Sequence, residues 1–388
     1  MPASPKTFQA SATVQINSLA QQKKARGERI YNLSAGEPIL NSGHFYKATM
    51  SRILDEGKTL YPPTAGLDAL RKTAADWMNR HHQTDYNAAN TMVTPGGKFA
   101  LHLAMQSLLN PGDEVLLPSP HYLSYPPMLE LVGAKAILVH GQPETEWKIT
   151  PKQLAERLTP NTKMLILNSG CNPTGIVYSS DEIAAIMDFA QTHDLWVLSD
   201  EVYSGLVYDG KSYASCATPA STRDKVAIVQ SASKHFGMTG WRLGFLFGPE
   251  SLIASCTALQ SQTVTSTSVI SQWAALAAFE QEDQITPWIH QEMQSRRDLF
   301  FAHLNSLLGL NLPRPAAAFY AFLPISIFTS QPISDLEFCE KVMENANVAI
   351  VPGSPFGRAD HVRFSFGETE QELKEALDVL VDYCKRAL

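Results

Sequence analysis

Six short runs are apolar along their length instead of alternating with polar residues. They are "EVLLPS" (Glu114–Ser119), "KAILVH" (Lys135–His140), "MLILNS" (Met164–Ser169), "LWVLSD" (Leu195–Asp200), "VAIVQS" (Val226–Ser231) and "GFLFG" (Gly244–Gly248). A strand wet on one face alternates, whereas runs of this kind are buried on both faces, as in a parallel sheet covered by crossover helices. The intervening segments carry helical spacing: Leu67, Leu70, Ala74 and Trp77, then "FALHLAMQSLL" after Lys98 and "DEIAAIMDFAQTH" after Ser180. Beyond Gln281 the pattern changes to a long polar helix, short strands around "AFYAFLP" and "HVRFSF", and a closing helix from Glu368. The expectation is an α/β fold: a large domain over 44–282 with a mostly parallel sheet flanked by helices. A smaller α+β domain is expected from 1–43 with 283–388.

Composition removes several classes of function. The chain has 388 residues, 44% hydrophobic and 18% charged, enough to bury a large core. Its net charge of −7 argues against a nucleic-acid surface, which needs a basic patch. The basic stretch "QQKKARGER" (Gln21–Arg29) reads as a solvated helix end. The five cysteines, Cys171, Cys216, Cys256, Cys339 and Cys384, are scattered and never spaced CxxC, so neither a disulfide framework nor a zinc site is supported. A reducing cytoplasm is the expected compartment. The start, "MPASPKTFQASATVQ", shows no apolar leader, no run approaches the length of a membrane span, and the whole chain is expected to be the mature protein.

Ligands of open α/β sheets gather where loops leave the carboxyl ends of the strands. There "MLILNS" runs into "GCNPTG" and presents Asn172; "LWVLSD" ends on Asp200 with Tyr203 three residues on; "VAIVQS" ends on Ser231, followed by Ser233 and Lys234. "VTPGGKFAL" puts Gly96, Gly97 and Lys98 at a helix entrance, where free N–H groups and the dipole favour a phosphate. Taken singly, each has a plain explanation: Lys234 a solvated surface lysine, Asp200 a helix cap, Asn172 a turn residue, Tyr203 core. "TPGGK" is not a Walker loop, "GMTGWRLG" is not GxGxxG, and no GxSxG, HExxH or metal cluster occurs. The weight lies in the convergence of an amide, a carboxylate, a phenol, hydroxyls and an amine on one rim, the set that pyridoxal 5'-phosphate asks for.

With these motifs in order, the chain resembles the fold-type I, class I aminotransferases, and most of all the prokaryotic aspartate aminotransferase subgroup. The resemblance runs from "SATVQINSLA" and "NLSAGEP" through "YPPTAGLDALR", "VTPGGKFAL", "PGDEVLLPSPHYLSYP", "NPTG", "SDEVY" and "SKHFGMTGWRLGF" to "VAIVPGSPFG" and "HVRFSFG". It implies pyridoxal 5'-phosphate as cofactor and Lys234 as its Schiff-base lysine and proton shuttle. Asp200 is implied beside the pyridine nitrogen, Tyr203 and Asn172 on the ring oxygen, and Tyr122 stacked on the ring. Arg242, Ser231, Ser233 and the Gly97–Lys98 backbone are implied on the phosphate. Arg363, with a backbone contact from Gly36, is implied on the substrate α-carboxylate. Tyr61 is implied to reach the phosphate of a neighbouring subunit, which makes the working unit a homodimer with shared sites.

The chain departs from the family pattern at Gly170 and Cys171 ("NSGCNPTG" for "NSPNNPTG"), at "AAAFY", where Ala317 replaces a usual glycine, and at "GEPIL". The resemblance favours aspartate with 2-oxoglutarate as substrates. An alanine, aromatic or broad-range aminotransferase stays open, as does a related enzyme performing β-elimination or ring closure. His121 and the run "QSQTVTSTS" (Gln260–Ser268) either line a pocket or belong to a surface loop or helix face.

Overall fold

The computed structural model describes residues 10–218 and 220–388. Contacts divide the chain into two compact units. The larger comprises Glu37–Ser295 with Pro315–Phe319, the smaller Met1–Gly36, Arg296–Arg314 and Tyr320–Leu388. These borders differ from the expected 43/44 and 282/283. The helix Gly43–Asp55 packs on Val269–Glu280 and so belongs to the larger unit. The helix Glu282–Leu308 keeps its first turns there too, where Glu282 pairs with Arg80 and His81 of the helix Asp68–His82.

The larger unit is built on a seven-stranded sheet. Its spatial order is Thr91–Thr94, Gly244–Phe247, Val226–Ser231, Trp196–Asp200, Thr162–Leu167, Glu114–Ser119, Lys135–His140. From Val226–Ser231 to Lys135–His140 every pair is parallel. Gly244–Phe247 runs antiparallel to both of its neighbours, within the mostly parallel sheet that was expected. The reason is the connection from Ser231 to Gly244. It carries only a four-residue helix, too little for a crossover, so the chain turns back along the same edge. Thr91–Thr94, buried along its whole length, was not anticipated because four residues show no period. Lys135–His140 lies at the sheet edge and is half exposed, not doubly covered.

Helices Gly97–Leu108 and Glu250–Thr263 bury Ala100, Leu103, Ala104, Ile253 and Cys256 against Val115, Leu117, Ile166, Leu198 and Val229 of the sheet. The helix Ser180–Thr192 starts in a capping box, Ser179 Oγ accepting from Glu182 N while the Glu182 carboxylate accepts from Ser179 N. Strand order reverses between Glu114–Ser119 and Thr162–Leu167, so the crevice for a ligand opens at the loops following those two strands.

In the smaller unit, Val351–Pro352, His361–Ser365 and Tyr320–Pro324 form an antiparallel sheet, and Tyr31–Asn32 pairs in parallel with Val348–Ala349. The N-terminal segment is thereby tied to the C-terminal part, as is Ser365 N to Leu33 O at 2.7 Å. The closing helix Glu370–Ala387 buries Leu373, Ala376, Leu377, Leu380, Val381 and Cys384, one apolar stripe at helical spacing. Among the described residues no helix is long and apolar enough to cross a membrane.

Candidate active site

The strand Trp196–Asp200 delivers Asp200 to the carboxyl edge of the sheet, where it pairs in register with Val229. Two residues past Val229 the next strand ends on Ser231. Its hydroxyl donates to Leu243 O at 3.2 Å and accepts from Ser233 N at 3.1 Å, capping the helix Ala232–His235. Lys234 sits on that single turn. Its Nζ lies 5.9 Å from the centroid of the Tyr203 ring and 4.9 Å from that of Phe319, and the two rings meet edge to face at 5.8 Å.

Asp200 is fully enclosed, and its hydrogen-bond donors are neutral: the Tyr125 hydroxyl to Oδ2 at 2.8 Å and Val202 N to Oδ1 at 3.4 Å. Burial pushes its carboxyl up to about 6, while those two bonds and the nearby Lys234 ammonium act in the opposite direction. A carboxyl so placed gains most from a cationic nitrogen brought into the pocket. The adjoining loop is held by Asn168, whose amide donates to Asp200 O at 2.7 Å and whose Oδ1 accepts from Asn172 N at 3.1 Å.

The backbone of Gly96 and Gly97 passes close to the same edge. Gly96 has φ +89°, and a Cβ there would stand 2.6 Å from Arg242 Nη2; a Cβ on Gly244 would stand 2.4 Å from Gly97 N. Only glycine admits both approaches. The helix Gly97–Leu108 thus starts beside the Arg242 guanidinium, which donates from Nη1 to Thr239 O at 3.0 Å. The Gly97 and Lys98 amides lie in the first turn, which has no intrahelical acceptors. The Lys98 ammonium lies 5.5 Å from the Tyr122 ring, which meets Tyr125 edge to face at 5.4 Å.

Gly170 and Ala317, two departures from the family pattern, are neighbours in the fold. Gly170 adopts φ +73°, closed to proline, and a Cβ there would stand 2.9 Å from Tyr203 Cβ and 3.6 Å from Ala317 Cβ. Glycine at 170 is therefore required by its backbone angle and by the approach of Tyr203, while the Ala317 methyl lies at ordinary contact distance. Cys171, also buried, lies with its Sγ 3.8 Å from Pro120 O, and burial pushes its thiol up to about 11, so it is an inert packing group. Gln260 and Thr267 are structural, both donating to Val93 O, and His121 is buried and held neutral, pushed down to about 4.

Within the smaller unit Arg363 occupies the middle of the three-stranded sheet, paired with Phe322 and Val351. It is buried, donates from Nη2 to Ser34 O at 2.7 Å, and lies over the rings of Tyr320 (4.5 Å) and Phe356 (5.1 Å). Gly36 belongs to the same corner: a Cβ there would stand 3.3 Å from the Tyr320 hydroxyl. Tyr61, in the larger unit, is 89% exposed, beside Leu60 at 83%.

The sequence pattern of the family described as aminotransferase class I and II matches residues 28–380. The chain belongs to this family. A probable aspartate/prephenate aminotransferase of Thermus aquaticus is 36% identical over 377 residues, 96% of each chain. The aspartate aminotransferase of Geobacillus stearothermophilus is 34% identical over 95% of this chain and 94% of its own. The solved structure of Thermus thermophilus aspartate aminotransferase with maleate superposes with a TM-score of 0.91 at 35% identity, covering 97% of both chains.

The aminotransferase is an α/β enzyme of fold type I that depends on pyridoxal 5'-phosphate. Its larger unit fits that cofactor. The enclosed Asp200 has only neutral hydrogen-bond donors, and the cradle of Gly96, Gly97 and Arg242 is closed to any side chain at 96. Lys234, Asp200, Tyr203, Ser231, Ser233, Gly97 and Arg242 come together around one sheet edge. Tyr122 and Lys98 reach it through Tyr125, and Asn172 through Asn168. Sequence reading passed over Tyr125 and Asn168, although both lie inside quoted motifs, because neither position says which residue it touches.

Proposed function

We propose that this aminotransferase takes the α-amino group of L-aspartate and delivers it to 2-oxoglutarate, with Lys234 as the reacting amine. The observation that carries the assignment of roles is the arrangement of Lys234 and the enclosed Asp200 at the ends of adjacent strands. Bound pyridoxal 5'-phosphate supplies a carbonyl carbon for the amine and a ring that withdraws electrons from the amino acid's α-carbon. Lys234 moves the proton at that α-carbon, acting as nucleophile and general base. Asp200, ionised, holds a proton at the ring nitrogen. Tyr203 and Asn172 donate to the ring oxygen and Tyr122 covers the ring face. Arg242, Ser231, Ser233 and the Gly97 and Lys98 amides hold the phosphate.

Arg363 is assigned to the amino acid's α-carboxylate, with Gly36 contributing a backbone contact. Its planar fork matches a carboxylate with two parallel hydrogen bonds, which a lysine cannot reproduce. The exposed Leu60 and Tyr61 support a second copy of this chain as the partner, Tyr61 reaching its phosphate site. All five cysteines are buried and free, which favours the cytoplasm as the working compartment.

Aspartate is favoured because relatives over nearly the full chain carry that name. A second reading, prephenate as amino acceptor, rests on the relatives named aspartate/prephenate aminotransferase. The deciding experiment incubates the holoenzyme with L-aspartate, L-alanine or L-phenylalanine and 2-oxoglutarate, then with prephenate as acceptor, and measures the keto acid formed. Highest kcat/KM for aspartate is the expected result. A higher value for alanine or phenylalanine refutes the aspartate assignment, and a keto acid released together with ammonia refutes transfer altogether.

A further inference from the structure

Beside the reacting edge lies a polar triangle outside the set of residues assigned above, made of the buried Gln230 and His235 and the half-buried Ser204. His235 Nε2 is 3.1 Å from Gln230 Oε1 and 3.2 Å from Ser204 Oγ, and Gln230 Nε2 donates to Ser204 Oγ at 3.1 Å. Each corner adjoins a residue of the site: Gln230 precedes Ser231, Ser204 follows Tyr203, and His235 follows Lys234. The end of the strand Val226–Ser231 and the turn Ala232–His235 that follows it are thus tied to Ser204, on the segment that carries Tyr203.

The carboxamide oxygen of Gln230 can only accept, so the His235 nitrogen facing it carries hydrogen, and the carboxamide nitrogen donates to Ser204. Burial keeps the imidazole neutral, pushing it down to about 4, so the triangle does not titrate near neutral pH. The ring is wedged in place: the Trp77 indole meets it edge to face at 5.0 Å, and a Cβ on Gly205 would stand 2.3 Å from Nδ1. Glycine at 205, two residues after Tyr203, is therefore what lets the imidazole sit against the turn.

We propose that His235 is a positioning residue: through Gln230 and Ser204 it locks the Tyr203 turn and the Lys234 turn to one another, and so sets the orientation in which the cofactor ring is held. The proposal rests on the assignment of Lys234 and Tyr203 to the cofactor. A histidine that only filled space needs no hydrogen-bonded partner at Gln230 and Ser204, and a buried imidazole without partners is costly.

The test uses the full chain, apo and loaded with pyridoxal 5'-phosphate, in Ser204→Ala, His235→Ala, the double variant and Gly205→Ala. Visible circular dichroism per bound cofactor reads ring orientation, and the apo thermal midpoint reads packing. Ser204→Ala and His235→Ala are expected to weaken the dichroism and to lower kcat about ten-fold with KM changed less than about two-fold. The double variant is expected to be no worse than His235→Ala, since the two act as a unit. Gly205→Ala, which evicts the ring, is expected to copy His235→Ala.

Wild-type dichroism and kcat in Ser204→Ala and His235→Ala, with only a lower thermal midpoint, overturn the proposal, as do additive losses in the double variant. Ser204→Ala removes a single hydroxyl, so the test stands even where His235→Ala does not fold. Borohydride reduction of the loaded wild-type enzyme separates the two levels. Failure to fix the cofactor on Lys234 overturns the assignment beneath; fixation on Lys234 with unchanged dichroism in the variants overturns the triangle alone.

Discussion

The Tyr125 hydroxyl donates to Asp200 Oδ2 at 2.8 Å, and both side chains are buried. A hydrogen bond to a buried charge contributes more than one between neutral groups, about 1.5–3 kcal/mol, so Tyr125 helps keep Asp200 ionised. In Tyr125→Phe the Asp200 carboxyl moves further up from about 6 and is less ionised near neutral pH. Cofactor affinity at pH 7 is expected to fall about ten-fold, with recovery as the pH is raised. Equilibrium binding of pyridoxal phosphate across pH checks this; equal affinities at every pH would refute it.

Lys234→Ala removes the only side-chain amine on the turn Ala232–His235. Turnover is expected to disappear while far-ultraviolet dichroism stays as in the wild type, because the side chain is only half-buried. Borohydride is expected to fix cofactor to the wild type and not to the variant, as mass spectrometry would show. Retained turnover ends the assignment.

Glu201, next to Asp200, is buried with Oε1 accepting from Ser199 Oγ (2.9 Å), Ser215 Oγ (2.9 Å) and Cys216 N (3.0 Å). Burial, first among the causes, pushes it up to about 7, against about 4.3 in an unfolded chain. The folded state therefore holds the proton more tightly, and stability falls as pH rises from about 4 to about 7 and the buried group is forced to ionise. Glu201→Gln is neutral throughout. Its apo thermal midpoint is expected to exceed that of the wild type by a margin that grows over this window and then levels off. Melts of the apo protein from pH 4.5 to 8 test the sign, and a margin independent of pH excludes it.

Arg363→Lys keeps the charge and loses the fork. The KM for the amino acid is expected to rise at least about ten-fold, the cost of one lost charged hydrogen bond, while pyridoxal phosphate affinity stays within about two-fold. Equal losses of both would contradict a role on the substrate.

Tyr61 is tested by mixing two subunits that are each inactive, Tyr61→Phe and Lys234→Ala. If Tyr61 acts across the interface, a heterodimer contains one site with both defects and one intact site, and activity returns to about a quarter or half of wild type. No recovery means each site is self-contained.

The central strands were legible in the sequence because burial on both faces leaves a continuous apolar run, and two of them, Glu114–Ser119 and Val226–Ser231, begin and end where that run does; the edge strand Lys135–His140 also matches its run although it is half exposed. The order of Asn172, Asp200, Tyr203, Ser231 and Lys234 along the chain was equally plain, since each follows a strand or its exit loop. Strand direction at Gly244–Phe247 was not: it depends on the length of a connection, not on the composition of the run. Nor could sequence show that Ser231 caps the helix Ala232–His235 and donates to Leu243 O. The donors to Asp200, the approach of Gly170 to Tyr203, and the triangle of Ser204, Gln230 and His235 were decided only in three dimensions. Each joins residues from different elements, and a hydrogen bond or a steric limit has a partner that linear spacing does not name.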